Sequence, residues 1–226
     1  IGRCAQRMET TIGQLLINEA LPPPLRDYSR QLDKKSIDKL LYQLSQEDPD
    51  GYRETSHKLM QVGWKAAQET GGYSFSSRHL RKTKAGAATK QRLMTAVGEI
   101  LQDKALTPQQ RRDKVILVVG NEQEAQSNSV FEEALADNNP LARQVLSGAR
   151  GNKTVLSSLL GSDLLYTDAS NNIIPVPVLR SYSEGLSPAE YWAGAYGARK
   201  GTVDVKSSTA DAGYLSKQLN RLAHRL

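Results

Sequence analysis

Residues 185–226 read GLSPAEYWAGAYGARKGTVDVKSSTADAGYLSKQLNRLAHRL, and how this stretch folds decides what the chain can be. Ser187 followed by Pro188 is a helix start. The hydroxyl can accept from the first unpaired N–H groups, and the proline ring has the φ that the first helical position needs. A single helix from Pro188 to Leu226 would reach about 58 Å at 1.5 Å per residue. Tyr214, Leu215, Leu219 and Leu222 supply an apolar stripe, while Lys217, Arg221 and Arg225 recur at a spacing of four. That basic row is suited to tracking phosphates. From Gly197 onward six Lys or Arg stand against two Asp, so most of the chain's +6 charge lies on this element.

The same stretch argues against itself. Gly194, Gly197, Gly201 and Gly213 lie inside it, each costing about 1 kcal/mol relative to Ala in a helix interior. Val203, Val205, Ser207, Ser208 and Thr209 add further reluctance. Propensity alone breaks the helix near Gly201. A helix this weak either packs closely against something or is built to bend.

Working back along the chain, Asp168–Val178 (DASNNIIPVPV) reads as a turn and an extended segment, and Val155–Leu165 as a helix. Ser147–Gly151 (SGARG) opens a loop, after a short helical turn at Leu141–Val145 and a break at Asn138-Asn139-Pro140. Between Arg81 and Leu135 the pattern is a helical hairpin. Leu93, Val97, Ile100 and Leu101 mark one apolar face, and Ile116, Val119 and Phe131 the facing one. Thr107-Pro108-Gln109-Gln110 combines an N-cap, a first-turn proline and a capping-box glutamine. Val115–Gly120 (VILVVG) fits either this second helix or a buried strand entering a phosphate loop. The following NEQEAQ has neither GxGxxG nor GK[ST], so a nucleotide loop fails and helix is preferred.

Toward the N-terminus, Thr10–Ile17 begins a helix that Pro22-Pro23-Pro24 stops. Leu32, Ile37, Leu40, Leu41 and Leu44 recur at helical spacing. Ser45–Gly51 (SQEDPDG) is a polar turn. A further helix carries Leu59, Met60, Gly63, Trp64 and Ala67 and ends at Gly71-Gly72; Tyr73–Leu80 is extended or loop-like.

The 226 residues suffice for one or two modest domains. A hydrophobic fraction of 38% is lean, and a pI near 9.4 favours polyanionic partners. The single cysteine, Cys4, excludes an internal disulfide framework and fits a reducing, cytoplasmic compartment. No run approaches the roughly 20 apolar residues of a membrane span, and the first residues lack the apolar core of a signal peptide. Ile1 in place of Met suggests a processed product or an excised segment.

Several runs together carry a specific resemblance. Gly197–Gly201 (GARKG) and Thr209–Leu215 (TADAGYL) resemble, at the right separation, the GARKG and TA[DN]SGYL signatures of the largest (β′) subunit of multisubunit RNA polymerases. Ser147–Gly151 is similar to that family's SGARG loop, Asn172–Pro177 to its extended segment, and Ser183–Leu186 to the REGL lead-in to its bridge helix. Thr10–Gly13, Lys35–Ile37, Gly63–Ala67 and Gly72–Ser74 resemble its pore region in order. Nearly the whole chain is covered.

The resemblance implies a mainly α fold with few short strands. It divides the chain into a pore-like region (1–80), a secondary-channel helical hairpin (81–146), the SGARG loop with its extended segment (147–187) and a bridge helix (188–226). Thr209, Ala210 and Gly213 would then face the templating base and incoming nucleotide, where only small side chains fit, and Tyr214 would brace the helix near the template strand. Lys217 and Arg221 would hold template phosphates, Arg199, Lys200 and Gly201 would form a hinge, and Arg150 would stand near the route by which nucleotides arrive. Lys217 replaces a usual Arg, Gln218 another, and Ser208 a usual Lys. The implied activity is nucleotidyl transfer by an assembled DNA-directed RNA polymerase, of cellular or bacteriophage origin, with this segment inactive alone. Implied partners are β-like and other polymerase subunits, DNA template, RNA and nucleoside triphosphates, with no membrane. The alternative is a non-catalytic protein that kept a polymerase-like fold, or a plain basic helical DNA-binding module.

That family holds catalytic Mg2+ in an NADFDGD loop, which this chain lacks, so the ion would be ligated by residues outside it. Asp48-Pro49-Asp50-Gly51 lacks a third carboxylate. His57, His79 and His224 are scattered without ligand spacing, and Cys4 has no base near it in sequence.

Overall fold

The structure, a computed structural model, describes residues 9–70 and 74–224, the side chain of Ser208 excepted. Cys4, the Gly71-Gly72 helix stop, Tyr73 and Arg225 lie outside the described residues. Among those described there are nine α-helices: α1 Ile12–Ala20, α2 Lys34–Glu47, α3 Tyr52–Thr70, α4 Lys84–Gln102, α5 Pro108–Ala136, α6 Pro140–Ser147, α7 Lys153–Leu160, α8 Pro188–Val203 and α9 Thr209–Ala223. Extended pairing among them is limited to two isolated antiparallel bridges, Leu164 with Val178 and Thr167 with Ile173. The fold is mainly α, as the resemblance implies, and no described helix is long and apolar enough to cross a membrane.

The chain packs as two compact units, Ile1–His79 with Asn138–Asn152, and Leu80–Asp137 with Lys153–Leu226. In the first, Thr11 and Gln14 form a reciprocal capping box that starts α1. Asp33 caps α2 by accepting from Ser36 N at 2.7 Å. Leu21, Leu25, Leu40 and Leu44 make the core, with Ile17, Leu32, Tyr52 and Leu59 packed on it. Buried Asn18 ties the proline turn to α1: its amide donates to Gln14 O and Asp27 O and its carbonyl accepts from Asp27 N at 2.8 Å. Asn139 caps α6 through Leu141 N, and Gly148 ends that helix in the left-handed conformation.

In the second unit the hairpin α4–α5 is built on the Thr107 capping box, with Pro108 in the first turn. Val115 and Val119 are buried on α5 and meet Leu93 and Val97 of α4, so VILVVG is helix. Glu133 caps the start of α4, accepting from Lys84 N and Ala85 N.

Several expectations need correction: α2 runs on through Ser45–Glu47 of the segment read as a polar turn, Ser77–Leu80 forms a short 3-10 helix, and Leu101, read onto the apolar face of the hairpin, is exposed. The helix read over Val155–Leu165 ends at Leu160. Gly161 N still closes the last turn onto Ser157 O, but Leu164 takes a φ of 64° and exchanges two hydrogen bonds with Val178. This left-handed leucine is 1% exposed and part of the α4–α5 core. Its burial and double pairing hold a conformation that isolated leucine avoids.

Candidate functional site

The last element begins on the capping box of Ser187 and Glu190: Ser187 N donates to Glu190 Oε2 at 2.8 Å and Glu190 N to Ser187 Oγ at 3.4 Å. Glu190 also accepts from Leu179 N at 2.9 Å and Arg180 N at 3.0 Å, so one buried carboxylate joins the extended segment to the first turn of α8. Burial pushes its pKa up, but the hydrogen bonds from Ser187, Leu179 and Arg180 outweigh it and hold the carboxyl below its usual value. Ala193 is fully buried against Ile174 and Val178.

From there the helical backbone continues without a break. α8 passes into a π-helical turn at Asp204–Ser208 and then into α9. Lys200 reaches Asp204 at 2.9 Å across the join. The irregularity therefore begins three residues beyond Gly201, which itself lies in the last turn of α8. A turn bonded i→i+5 takes up one residue more than an α turn, so the faces before and after it are about 100° out of phase.

No described residue of α9 is buried. At about 100° per residue, Thr209, Gly213, Lys217, Ala210, Arg221 and Tyr214 fall within an arc of about 140°. Leu215, Leu219 and Leu222 fall on the opposite side and are all more than half exposed. Tyr214, grouped with those leucines in the sequence, belongs to the basic side. α9 thus presents small residues, one aromatic ring and two cations on one face. Such a face admits a nucleobase close to the helix and neutralises phosphates beside it.

The remaining predicted residues are elsewhere. Arg199 is exposed on α8 and Lys200 partly buried. Arg150 is exposed in the first unit, at the end of the SGARG loop, with its N–H on Gln144 O. Among the described residues no three His, Cys, Asp or Glu come together to hold a metal ion. Asp48 instead caps its own turn, accepting from Gly51 N at 2.9 Å. His57 lies 2.9 Å from Gln61 Nε2, and His79 Nδ1 accepts from Ser76 N.

Two residues that organise this site escaped sequence reading. Glu190 had a legible signal, the Ser-x-x-Glu spacing from Ser187. Tyr166, whose ring lies against Gly194 and Gly197, had none, because it stands in an aperiodic segment.

No protein-family model matches the chain. Among curated proteins it is similar to the β′ subunit of DNA-directed RNA polymerase from Hydrogenobaculum sp. (strain Y04AAS1), 32% identical over 94% of this chain and 14% of that subunit. The β′ subunit of Syntrophomonas wolfei is 30% identical over 94% of the chain and 18% of its own length. For that of Petrotoga mobilis the figures are 29%, 97% and 14%. The chain thus spans less than a fifth of the length of these relatives.

Proposed function

Since the chain belongs to the β′ family of DNA-directed RNA polymerase subunits, corresponding to one segment of them, we propose that its C-terminal rod lies across the nucleic-acid cleft of an RNA polymerase. There it positions the template base and the incoming nucleotide. The observation that carries this reading is the exposed arc of α9, on which Thr209, Ala210, Gly213, Tyr214, Lys217 and Arg221 share one side.

The roles follow from side-chain chemistry. Thr209, Ala210 and Gly213 leave room for a base pair against the backbone, and Tyr214 offers a ring edge beside it. Lys217 and Arg221, one turn apart, neutralise successive template phosphates. Arg199, Lys200 and Gly201, together with the π turn that follows, form the pliable part of the rod. Arg150 stands beside the path of arriving nucleoside triphosphates. Residues 1–80 serve as pore wall, 81–146 as the rim of the secondary channel, and 147–187 as the support from which the rod springs.

Mg2+ supplies charge neutralisation to nucleotidyl transfer when bound. The described carboxylates do not gather to hold it; the chain carries no NADFDGD loop, and in this reading the ligands of the ion lie in other parts of the enzyme. The partners are β-like and other subunits, template, RNA and nucleotides, in the cytoplasm of a bacterial or infected cell.

The test is a reconstituted polymerase. Gly201→Pro removes an N–H from the last turn of α8, and Lys217→Ala removes a phosphate contact. Both variants slow RNA extension while subunits still co-purify. Wild-type extension rates in both would refute the assigned roles.

A further inference from the structure

Tyr166 stands in the irregular segment between α7 and α8, partly buried, with its ring against the rod. A Cβ on Gly197 would come within 2.5 Å of Tyr166 Cδ1 and 3.0 Å of Cε1, and one on Gly194 would meet Cε2 at 3.5 Å. Only glycine lets α8 approach this closely at 197. The far end of the ring is also held: its hydroxyl donates to Asp163 Oδ2 and shares a hydrogen bond with the Tyr182 hydroxyl. Burial, then Asp163 and Tyr182, raise the phenol's pKa, so it stays protonated and able to donate.

Farther along the rod the situation reverses. A Cβ at Gly201 or Gly213 would meet nothing within 4 Å. The glycines that looked like uniform weakness in the sequence therefore divide into two kinds. Gly194 and Gly197 make room for a ring, while Gly201 and Gly213 stand in open space. The π turn begins at Asp204, beyond the gripped part.

We propose that Tyr166, braced by Asp163 and Tyr182, is the seat of the rod. It is a positioning residue that fixes α8 through Gly197, so that movement is confined to the segment beyond Gly197. The consequence for RNA synthesis rests on the polymerase reading above; the seat itself does not.

Hydrogen exchange read by mass spectrometry on the intact chain tests the seat. Tyr166→Ala should speed exchange in peptides covering 191–203 by about tenfold and leave 209–223 unchanged, as expected for a local opening. Tyr166→Phe, which keeps the ring, should restore most of the protection. Gly197→Ala supplies a sign test. With Tyr166 present the added methyl collides with the ring and exchange rises. In the Tyr166→Ala background the same methyl finds space, helix propensity takes over and exchange falls. A Gly197→Ala effect of the same sign and size in both backgrounds, or unchanged exchange in Tyr166→Ala, overturns the proposal. RNA extension by the reconstituted enzyme is a separate arm. A wild-type assembly that extends no RNA defeats the polymerase reading, while the exchange results still decide the seat.

Discussion

Glu184 and Lys82, 102 residues apart in sequence, meet at 2.7 Å, and Lys90 reaches the other carboxylate oxygen at 3.2 Å. The loop that leads into the rod is thereby tied to the base of the α4–α5 hairpin. Burial works against the Glu184 charge, but the hydrogen bond from Lys82, with those of Ser181 N and Lys90, brings its pKa from 4.5 to about 2. Lys82 moves down as well, because its own burial outweighs its attraction to Glu184. The stabilising partner of the pair is therefore the carboxylate, which accepts from Lys82, Lys90 and both the N–H and the hydroxyl of Ser181.

A carboxyl with a depressed folded pKa stabilises fully above its unfolded value and loses that contribution as pH falls through the folded one. For Glu184 the window runs from pH 4.5 down to about 2. Denaturant titrations of wild type and Glu184→Gln should differ by a constant amount above the window and converge within it. A difference that persists unchanged at pH 2 would show that the carboxylate charge is not what holds this loop.

Glu190→Ala should cost about 3 kcal/mol, because it leaves buried N–H groups without a charged acceptor and deletes half of a capping box. The urea midpoint should fall at unchanged m-value. Glu190→Gln, which keeps one acceptor oxygen, should cost less than half as much. Equal midpoints for wild type and Glu190→Ala would mean that the start of α8 does not depend on this side chain.

Gly213→Ala separates stability from function. The site is helical and open, so the methyl should stabilise the chain by up to about 1 kcal/mol. In the reconstituted polymerase the same methyl stands where the base pair needs room, so extension should slow. A variant that is both more stable and fully active would remove Gly213 from the nucleotide face.

Much of the fold was legible in the residues because its helix ends are chemically marked. Thr107-Pro108-Gln110 and Ser187-Pro188 start helices where the sequence says they do. The ambiguous VILVVG run resolved as helix once its valines could meet Leu93 and Val97. Illegible features depend on distant partners. The end of α7 at Leu160 reflects the pairing of Leu164 with Val178, which no local pattern announces. A π turn at Asp204–Ser208 has no propensity signal of its own. On the site side, spacing gave the basic row of Lys217 and Arg221 but put Tyr214 with the leucines, the small residues came from the resemblance alone, and the difference between Gly197 and Gly201 required knowing where Tyr166 lies.

The central claim is that one side of α9 faces nucleic acid in an assembled polymerase. A photoreactive residue at position 217 and another at 219, on opposite sides of the helix, test it most directly in a reconstituted elongation complex. Position 217 should crosslink to the template strand and position 219 to protein only. Template crosslinks of equal yield from both positions, or from neither, would contradict the account.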